Sequence, residues 1–326
     1  MCALSAWSAL GYSSCSPMHF RRIYLRTRLK GFLLDKQAAV SIGMPVYNMA
    51  GHVGEAIESL LAQTHTDYEL IISDNASTDA TLEIVKSFEL LDERIRVLEQ
   101  RSNLGAIANF EAALDAASGD WFMWAASDDV WSHDWLEAMV KSVVGYDRAA
   151  FGVVEVTSSD GETIPHPANQ RRFRFEGCRT WRQLKYFMEP PVLGKANLIY
   201  GLYPTWLLRS SRFTDFGQVP FAADIAYVYH LLSQVEIVSV PGPVLKKRHL
   251  ETSEGELLRD IPVTAFQRLT SPVRNIFKST IFFRVMKKST LIERLLIPCV
   301  LPVHLFRSVL AGFHSKRVSR GSRRRG

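Results

Sequence analysis

Carboxylate, amide and hydroxyl groups are concentrated at two points early in the chain, each directly after an apolar stretch of strand length. The first group is Pro45-Val46-Tyr47-Asn48, and the second runs Asp74-Asn75-Ala76-Ser77-Thr78-Asp79. A carboxylate in such a place can accept a hydrogen bond from a base N–H or a ribose hydroxyl, while a helix that begins there presents N–H groups to anionic oxygen. Alternatively, Asp74 and Ser77 cap a turn and Asp79 begins a helix.

Two later points repeat this arrangement. Asn103 and Gly105 follow one apolar stretch, and Asp128 and Asp129 follow the stretch 121–126. Adjacent carboxylates repel one another and lose solvation when buried, so a divalent cation is a natural partner. Hard oxygen ligands favour Mg²⁺ or Mn²⁺ over zinc. The alternative is a solvated turn that leads into the next helix.

The segments that position these residues alternate between strand-length apolar runs and helical periodicity. This alternation predicts an α/β fold with a mostly parallel sheet, in which ligands bind beyond the carboxyl ends of the strands. The predicted strands are 39–46, 68–73, 95–99, 121–125, 150–156 and, after a polar loop, 235–240. The predicted helices are 52–63, 79–90, 105–117, 133–144 and 223–234, followed by amphipathic helices within 256–313.

Composition and charge exclude several classes of protein. The 326 residues are 47% apolar, and four scattered cysteines lack the spacing of a disulfide framework, which favours a reducing compartment. Gly194-Lys195-Ala196 lacks the upstream glycine and the Ser or Thr of a nucleotide triphosphatase phosphate loop. No GxGxxG sequence opens a helix, which argues against a dinucleotide oxidoreductase.

The formal charge of +6 is carried by the ends of the chain. Residues 316–326 hold six bases and no acid, residues 1–36 carry +5, and residues 37–315 sum to −5. Basic ends on an acidic body favour docking on an anionic membrane surface over specific nucleic-acid binding, although an arginine-tail contact with nucleic acid stays an alternative. The apolar stretch 295–306 is shorter than the about 20 residues of a bilayer span, which favours an in-plane amphipathic helix.

Taken together, the four polar groups resemble the pattern of inverting family 2 glycosyltransferases, which have the GT-A fold, a Rossmann-like mixed sheet flanked by helices. The resemblance is strongest over 39–140 and weaker to 250. It implies an enzyme of the hexosyltransferase type that moves a sugar from a nucleotide donor, UDP-linked in most relatives, to a glycan or lipid-linked acceptor in polysaccharide or cell-envelope synthesis. With the scattered cysteines and the basic ends of the chain, it leads us to expect a cytoplasmic protein held peripherally at the inner face of the membrane.

The resemblance divides the chain into four regions. These are a basic extension (1–37), a nucleotide-sugar-binding half (38–157), an acceptor-binding half (158–250), and a helical, membrane-associating region with a polybasic tail (251–326).

Carried over residue by residue, the resemblance also assigns roles. Asp74 would contact the base, and Asp128 and Asp129 match the end of an acidic motif at which Mg²⁺ or Mn²⁺ bridges the diphosphate, although Ala126 occupies the motif's earlier acidic position. The full set expected around the nucleotide sugar is Pro45, Tyr47, Asn48, Asp74, Asn75, Asp79, Asn103, Gly105 and Asp128.

Two later segments complete the implied site. Asp224 is the candidate base that deprotonates the acceptor, and its alternative role is a helix-start acid. His249, in the basic stretch 246–249, would ligate the metal or touch phosphate. The competing interpretations are a catalytically silent binding or scaffold protein and another nucleotide-using enzyme on a similar sheet.

Overall fold

The computed structural model describes residues 40–143, 148–216 and 223–249, together with 290, 292, 295–297 and 307. The strands in this part are β1 (Val40–Val46), β2 (Tyr68–Asp74), β3 (Ile95–Glu99), β4 (Trp121–Trp124), β5 (Val130–Trp131), β6 (Arg148–Thr157), β7 (Arg174–Phe175), β8 (Tyr203–Pro204) and β9 (Glu236–Arg248). The α-helices are α1 (Val53–Leu61), α2 (Thr81–Leu91), α3 (Ala106–Ala116), α4 (Trp135–Val143), α5 (Arg179–Met188), α6 (Thr205–Ser210) and α7 (Ala223–Leu231).

The first sheet has the order β3-β2-β1-β4-β8, with β1 to β4 parallel and β8 antiparallel to β4. All seven residues of β1 are buried, which is why its sequence is a nearly continuous apolar run with no alternation. Helix α1 buries Val53, Ala56, Ile57 and Leu60, the i, i+3, i+4, i+7 set that faces a core. The predicted α/β class with a mixed sheet flanked by helices is confirmed.

A second sheet has the order β5-β9-β6, and β7 also pairs with β9. The segment predicted as strand 150–156 belongs to this second sheet, as part of the longer β6. The strand predicted near 235–240 continues as β9 to Arg248. Its pairing with β6 shifts register between Phe151 and Val153, and the extra residues Pro241-Gly242-Pro243 bulge out there, with Gly242 at a φ of +108°. This extension carries the basic stretch alongside the turn that follows β4.

An aromatic cluster fixes α7 against the first sheet. The ring of Trp124, at the end of β4, lies 5.9 Å from that of Tyr227 on α7, and Phe213 lies 5.0 Å from Tyr227. Trp124 and Tyr227 are fully buried. Since Asp224 is in the first turn of α7, this packing sets where its carboxylate can lie.

The regions expected at 1–37 and 251–326 lie outside the described residues, apart from the few positions named above, so the four-region division stays a prediction. The amphipathic helices expected within 256–313 fall almost entirely in the same undescribed part. Within the described residues, no helix combines the length and apolar character that crossing a membrane requires.

Candidate active site

The carboxyl ends of β1, β2 and β4 lie at one edge of the first sheet. Val46 is in register with Asp74, and the N–H of Ala125, just beyond β4, donates to the carbonyl of Gly43 at 2.9 Å. The buried side chain of Asn109 on α3 donates to the carbonyl of Ser73 at 2.8 Å and accepts the Ser73 hydroxyl at 2.6 Å. The first, second and fourth polar groups therefore follow strands that end at a common edge, as predicted from the alternation.

Asp74 is fully buried at this edge. Its Oδ2 accepts the N–H of Ser77 at 3.0 Å, which is the turn-capping role considered from the sequence. Its Oδ1 is also buried but has no hydrogen-bond partner within the described residues. A buried carboxylate oxygen without a donor is costly, so this atom indicates a place for an N–H or O–H group of a ligand.

Asn48 and Asp79 hold two loops together. The Asn48 side-chain oxygen accepts the N–H of Thr78 at 2.8 Å, and Asp79 accepts the N–H of Ala50 at 3.2 Å and the hydroxyl of Thr81 at 2.5 Å. Burial opposes ionisation, but the hydrogen bonds from Thr81 and Ala50 prevail and lower the pKa of Asp79. In this arrangement Asp79 joins the two loops just before α2, close to the helix-start position that the sequence offered as its alternative role.

Asn75 joins the second polar group to the third. Its amide donates to Asn103 Oδ1 at 2.9 Å and its side-chain oxygen accepts the N–H of Leu104 at 2.8 Å. Asn103 in turn accepts the N–H of Gly105 at 2.8 Å. Gly105 has a φ of +81° directly before α3, a conformation that glycine adopts without strain. Of the remaining nucleotide-side candidates, Pro45 is buried in β1, whereas Tyr47 leaves 41% of its surface exposed.

Asp129 forms a buried ion pair with the basic strand β9. Its carboxylate accepts Lys247 Nζ at 2.7 Å and the N–H of Arg248 at 3.1 Å, and Asp129 itself is completely buried. Burial disfavours a charged ammonium, but Asp129, Tyr200 and Asp128 outweigh it and raise the pKa of Lys247. Asp129 is therefore engaged with protein donors, although the resemblance places it in a metal-binding motif.

Asp128 and His249 differ from Asp129 in this respect. Asp128 is partly exposed and forms no hydrogen bond or ion pair with any residue that the structure describes. His249 is exposed, and its backbone N–H donates to the carbonyl of Thr157 at 2.8 Å. Across the described ranges, no three His, Cys, Asp or Glu side chains come together as a metal-binding group. Asp128 is thus the carboxylate best placed to share a cation with a ligand.

Asp224 lies in the first turn of α7 and is partly buried. Burial raises its pKa to about 6, against the opposing influence of Lys247 and Lys195 and a 2.7 Å hydrogen bond from the N–H of Ile225. Since Asp128 also acts on Lys247, these charged groups form one electrostatic neighbourhood at the junction of the two sheets. A carboxylate with a pKa near 6 is suited to accept a proton close to neutral pH.

Lys195 is a buried lysine that was not among the candidate site residues taken from the sequence. Its Nζ donates to the carbonyl of Tyr186 at 3.0 Å and lies 4.9 Å from the centre of that ring. Burial lowers its pKa to about 7, while Glu189 and Asp224 favour the charged form. The sequence shows only an isolated lysine in an apolar segment, and nothing local indicates that it is covered by α5.

The arrangement places the buried Asp74 carboxylate at the edge of the parallel sheet and groups the Lys247 ammonium with the carboxylates of Asp128 and Asp224. Together with the strand order, this defines a protein of the GT-A class. The chain belongs to glycosyl transferase family 2, whose model matches residues 41–209. Asp224, Lys247 and His249 lie beyond the matched residues, so their roles depend on the geometry given above.

Curated relatives cover parts of the same region. TuaG of Bacillus subtilis (strain 168), provisionally named a teichuronic acid biosynthesis glycosyltransferase, is 37% identical over 126 residues, which is 38% of this chain and 50% of TuaG. The Escherichia coli UDP-Glc:alpha-D-GlcNAc-diphosphoundecaprenol beta-1,3-glucosyltransferase WfgD is 35% identical over 38% of this chain and 50% of WfgD. The chain therefore spans about half the length of these relatives.

Solved structures show the same fold. Crystal structures of S. aureus TarS residues 1–349 in complex with UDP-GlcNAc superimpose with a TM-score of 0.51 at 17% identity, over 76% of this chain and 66% of that one. At this identity the likeness concerns the fold alone.

Proposed function

We propose that this protein transfers a sugar from a UDP-linked donor to a glycan or lipid-linked acceptor, with inversion at the anomeric carbon, in the synthesis of a cell-envelope polysaccharide. Family membership supports sugar transfer as the reaction class. The printed name of WfgD gives a UDP-sugar donor and a diphosphoundecaprenol acceptor for that relative, and TarS was crystallised with UDP-GlcNAc. The same classes of donor and acceptor are proposed for this chain.

The observation that supports binding of a nucleotide base at this edge is the unpartnered Oδ1 of Asp74. An ionised carboxylate only accepts hydrogen bonds, so the missing partner must be a donor. The imide N–H of uracil supplies such a donor, as do that of thymine and the N1–H of guanine, whereas N3 of cytosine is an acceptor. Uracil is preferred here because the names of WfgD and the TarS complex give UDP-sugars. Asn75 and Asn103 position the neighbouring loop, and Pro45, Tyr47, Asn48, Asp79 and Gly105 border the proposed nucleotide site.

The diphosphate would lie near the turn after β4. Lys247 provides a fixed positive charge there, with Asp129 orienting it. Asp128 fits a divalent cation as a single carboxylate ligand beside phosphate oxygens and water, the coordination that Mg²⁺ commonly has. When bound, Mg²⁺ or Mn²⁺ would neutralise charge on the leaving diphosphate. We propose Asp128 as the ligand, with His249 as an additional contact, and give Asp129 a positioning role.

The acceptor hydroxyl would be deprotonated by Asp224. With a pKa of about 6 this carboxylate is mostly ionised at pH 7 and still basic enough to take a proton as the new bond forms. The deprotonated oxygen attacks the anomeric carbon opposite the departing diphosphate, which inverts the configuration. The leaving pair of electrons stays on the diphosphate oxygen.

A lipid-linked acceptor would require the protein to work at a membrane. We propose a peripheral position at the inner, cytoplasmic face of the membrane, with the basic ends of the chain attracted to anionic headgroups at about 1 kcal/mol per base near the surface. Those ends lie outside the described residues, so this proposal rests on the charge distribution of the sequence.

The test uses the purified full-length protein and a panel of UDP-, GDP- and dTDP-sugars with and without Mn²⁺. Thermal shift measures donor binding, and release of the nucleoside diphosphate measures turnover. We expect UDP-sugars to bind, Asp74→Asn to weaken that binding, and Asp224→Asn to retain binding while losing transfer. Asp160→Asn, in an exposed loop, is the matched control. Unchanged transfer in Asp224→Asn would remove this residue from the mechanism.

A second candidate, a nucleotide-binding protein without transferase activity, is favoured by two observations. Ala126 replaces one acid of the motif, and Asp129 is engaged by Lys247. This candidate predicts donor binding with no release of UDP under any metal condition, which the same panel measures.

A further inference from the structure

The segment 198–203 passes from the second sheet to the first. The backbone of Leu202 exchanges two hydrogen bonds with that of Ala150 in β6, at 2.8 and 3.1 Å. The next residue, Tyr203, pairs with Phe122 of β4. The segment is therefore fixed to both sheets at the place where they meet.

Tyr200 lies directly before these contacts, at the end of a short 3₁₀ helix, and its backbone is held in place. The hydroxyl of Tyr203 donates to the carbonyl of Leu198 at 2.6 Å, which closes the turn around Tyr200. At Gly201 a Cβ atom would lie 2.8 Å from the carbonyl oxygen of Ala150, so only glycine allows the turn to approach β6 this closely. A side chain at position 200 thus has a fixed starting point beside the candidate site.

Among residues 198–205, only Tyr200 is partly exposed. The Nζ of Lys247 lies over its ring, 4.8 Å from the ring centre, while the Asp129 carboxylate accepts a hydrogen bond from the same Nζ at 2.7 Å. An ammonium group has three N–H donors, and in the part of the chain that the structure describes Asp129 is the only hydrogen-bond acceptor of Lys247. The ring and the carboxylate therefore hold the ammonium while two of its N–H groups stay available to a ligand.

The charged groups of the candidate site also act on Tyr200. Burial raises the pKa of its phenol to about 12, the positive charge of Lys247 opposes this change, and Asp129, Asp128 and Asp224 add to it. The phenol is thus neutral near pH 7. Tyr200 lies within electrostatic reach of both proposed catalytic carboxylates and of the ammonium, although the sequence gave no role to this residue.

We propose that Tyr200 is a positioning residue, whose ring keeps the Lys247 ammonium directed at the leaving diphosphate without neutralising it. A second carboxylate would also hold the ammonium, but it would cancel its charge. An aromatic ring attracts a cation through its quadrupole and has no net charge, so the ammonium keeps its effect on phosphate oxygen. This inference deepens the proposed function and, in what it says about transfer, rests on it.

The proposal predicts an effect on turnover more than on donor binding. Negative charge builds up on the diphosphate as its bond to the anomeric carbon breaks, so a correctly placed cation stabilises the transition state more than the bound donor. A purely structural role, in which Tyr200 only fills space between the sheets, predicts a loss of stability and no such difference. Packing depends on the size of the ring, whereas attraction to a cation depends on its electron density.

The first experiment varies the electron density of the ring at nearly constant size. In the full-length protein, Tyr200 is replaced by phenylalanine, a monofluorinated phenylalanine and a trifluorinated phenylalanine, and UDP release is measured with a UDP-sugar. We expect Tyr200→Phe to keep kcat within about twofold of the wild type, and the trifluorinated ring to lower kcat about fivefold relative to phenylalanine with the donor KM changed less than about twofold. An unchanged kcat across the series would overturn the proposal. A loss in Tyr200→Phe as large as with the trifluorinated ring would overturn it as well, because the hydroxyl would then be the active group.

Tyr68 is the matched control, because it is a second tyrosine beneath a cation. The Arg94 guanidinium lies over its ring, 4.7 Å from the centre, at the start of β2 and hence at the opposite end of that strand from Asp74. The same fluorinated rings at position 68 should give the kcat of Tyr68→Phe. Equal losses of kcat at positions 68 and 200 would contradict a specific role for Tyr200.

The second experiment needs no sugar donor. Urea unfolding of the phenylalanine series at position 200 is measured with lysine at position 247 and again in Lys247→Met. With lysine present, the unfolding equilibrium constant should rise about threefold from phenylalanine to the trifluorinated ring, and in Lys247→Met this rise should disappear. The greater hydrophobicity of fluorinated rings is common to both backgrounds and cancels. The same trend in both would show that the ring does not hold the ammonium.

The two readouts separate this inference from the proposed function. A protein that releases no UDP from any donor refutes the proposed transfer, while the unfolding series still decides whether the Tyr200 ring holds Lys247. A protein that releases UDP at the same rate across the fluorinated series refutes the positioning role alone.

Discussion

Replacing Asp129 with asparagine tests whether this residue positions Lys247 or serves mainly as a metal ligand. The Asp129 carboxylate is completely buried and is engaged by Lys247 Nζ at 2.7 Å and the Arg248 N–H at 3.1 Å. Asparagine retains the shape and one acceptor oxygen but removes the charge. The substitution therefore leaves the Lys247 ammonium in a poorly solvated place without its counter-ion.

The expected cost follows from the burial of the two partners. Removing one member of a fully buried ion pair costs about 3–5 kcal/mol. The Lys247 side chain is 26% exposed, so water recovers part of that energy, and we expect about 2–4 kcal/mol. The surface pair of Lys86 and Glu99, with 48% and 53% of the side chains exposed, should lose less than about 1 kcal/mol in Glu99→Gln.

Urea unfolding of the wild type, Asp129→Asn, Lys247→Met and the double variant measures this energy as a double-mutant cycle. The double variant should be more stable than Asp129→Asn, because it no longer contains the unpaired ammonium, and the coupling energy should exceed about 1.5 kcal/mol. Glu99→Gln is the control for an ion pair of the same chemistry at the surface.

Titration with Mn²⁺ completes the test. If Asp129 only positions Lys247, Asp129→Asn should leave the Mn²⁺ concentration for half-maximal turnover within about threefold of the wild type, while Asp128→Asn raises it at least about tenfold. A coupling energy near zero together with a large shift in Mn²⁺ requirement for Asp129→Asn would refute the reasoning and restore Asp129 as a ligand.

Three further changes test other parts of the structure. Burial raises the pKa of Asp224 from 3.8 to about 6, so ionisation of this group lowers the free energy of unfolding as the pH rises through that interval. Asn cannot ionise, so the free energy of unfolding of Asp224→Asn minus that of the wild type should be on the order of 2 kcal/mol larger at pH 7 than at pH 4, measured by urea unfolding. Asn75→Ala removes two hydrogen bonds between loops and should cost about 1–3 kcal/mol in thermal unfolding and raise the donor KM. Gly152→Ala places a methyl group against the Trp135 ring and the Pro243 carbonyl and should cost about 1–3 kcal/mol, whereas Gly51→Ala, with open space around it, should change the melting temperature little.

The parallel sheet was predictable because each of its strands is a local signal. The predicted strand 39–46 corresponds to the observed Val40–Val46, and the predicted helix 52–63 to Val53–Leu61. Both were recognisable because buried strands are continuous apolar runs and amphipathic helices have a short-range periodicity. The two-residue strands β5, β7 and β8 could not be found in this way, because two residues show no periodicity. The local sequence Pro241-Gly242-Pro243 predicts the end of a strand, but β9 continues past it because β6 pairs with β9 on both sides of this segment.

Some features of the candidate site were likewise predictable from local sequence patterns, and others depend on long-range contacts. Asp74, Asn75 and Asn103 follow strand ends, so their clustering follows from the topology that the sequence predicts. The pairing of Asp129 with Lys247 joins residues 118 positions apart and depends on how far β9 extends. Motif matching alone therefore assigns Asp129 to a metal, while the fold supplies a lysine that competes for the same oxygens.

The proposed reactive centre lies where the two sheets meet, because each sheet and helix α7 contribute different charged groups to it. The strand ends of the first sheet contribute the residues of the proposed nucleotide site. Among its described residues, Asp128 is the carboxylate near the proposed diphosphate that has no protein partner, because Asp129 is paired with Lys247. The second sheet brings Lys247 on β9, and the aromatic cluster around Tyr227 brings Asp224 on α7. Because the cation and the candidate base arrive on different elements, loosening the packing of Trp124 against Tyr227 should impair transfer more than donor binding. Tyr227→Leu, assayed for UDP release and for thermal shift with UDP-sugar, checks this, and equal losses in both would show that the two halves do not act separately.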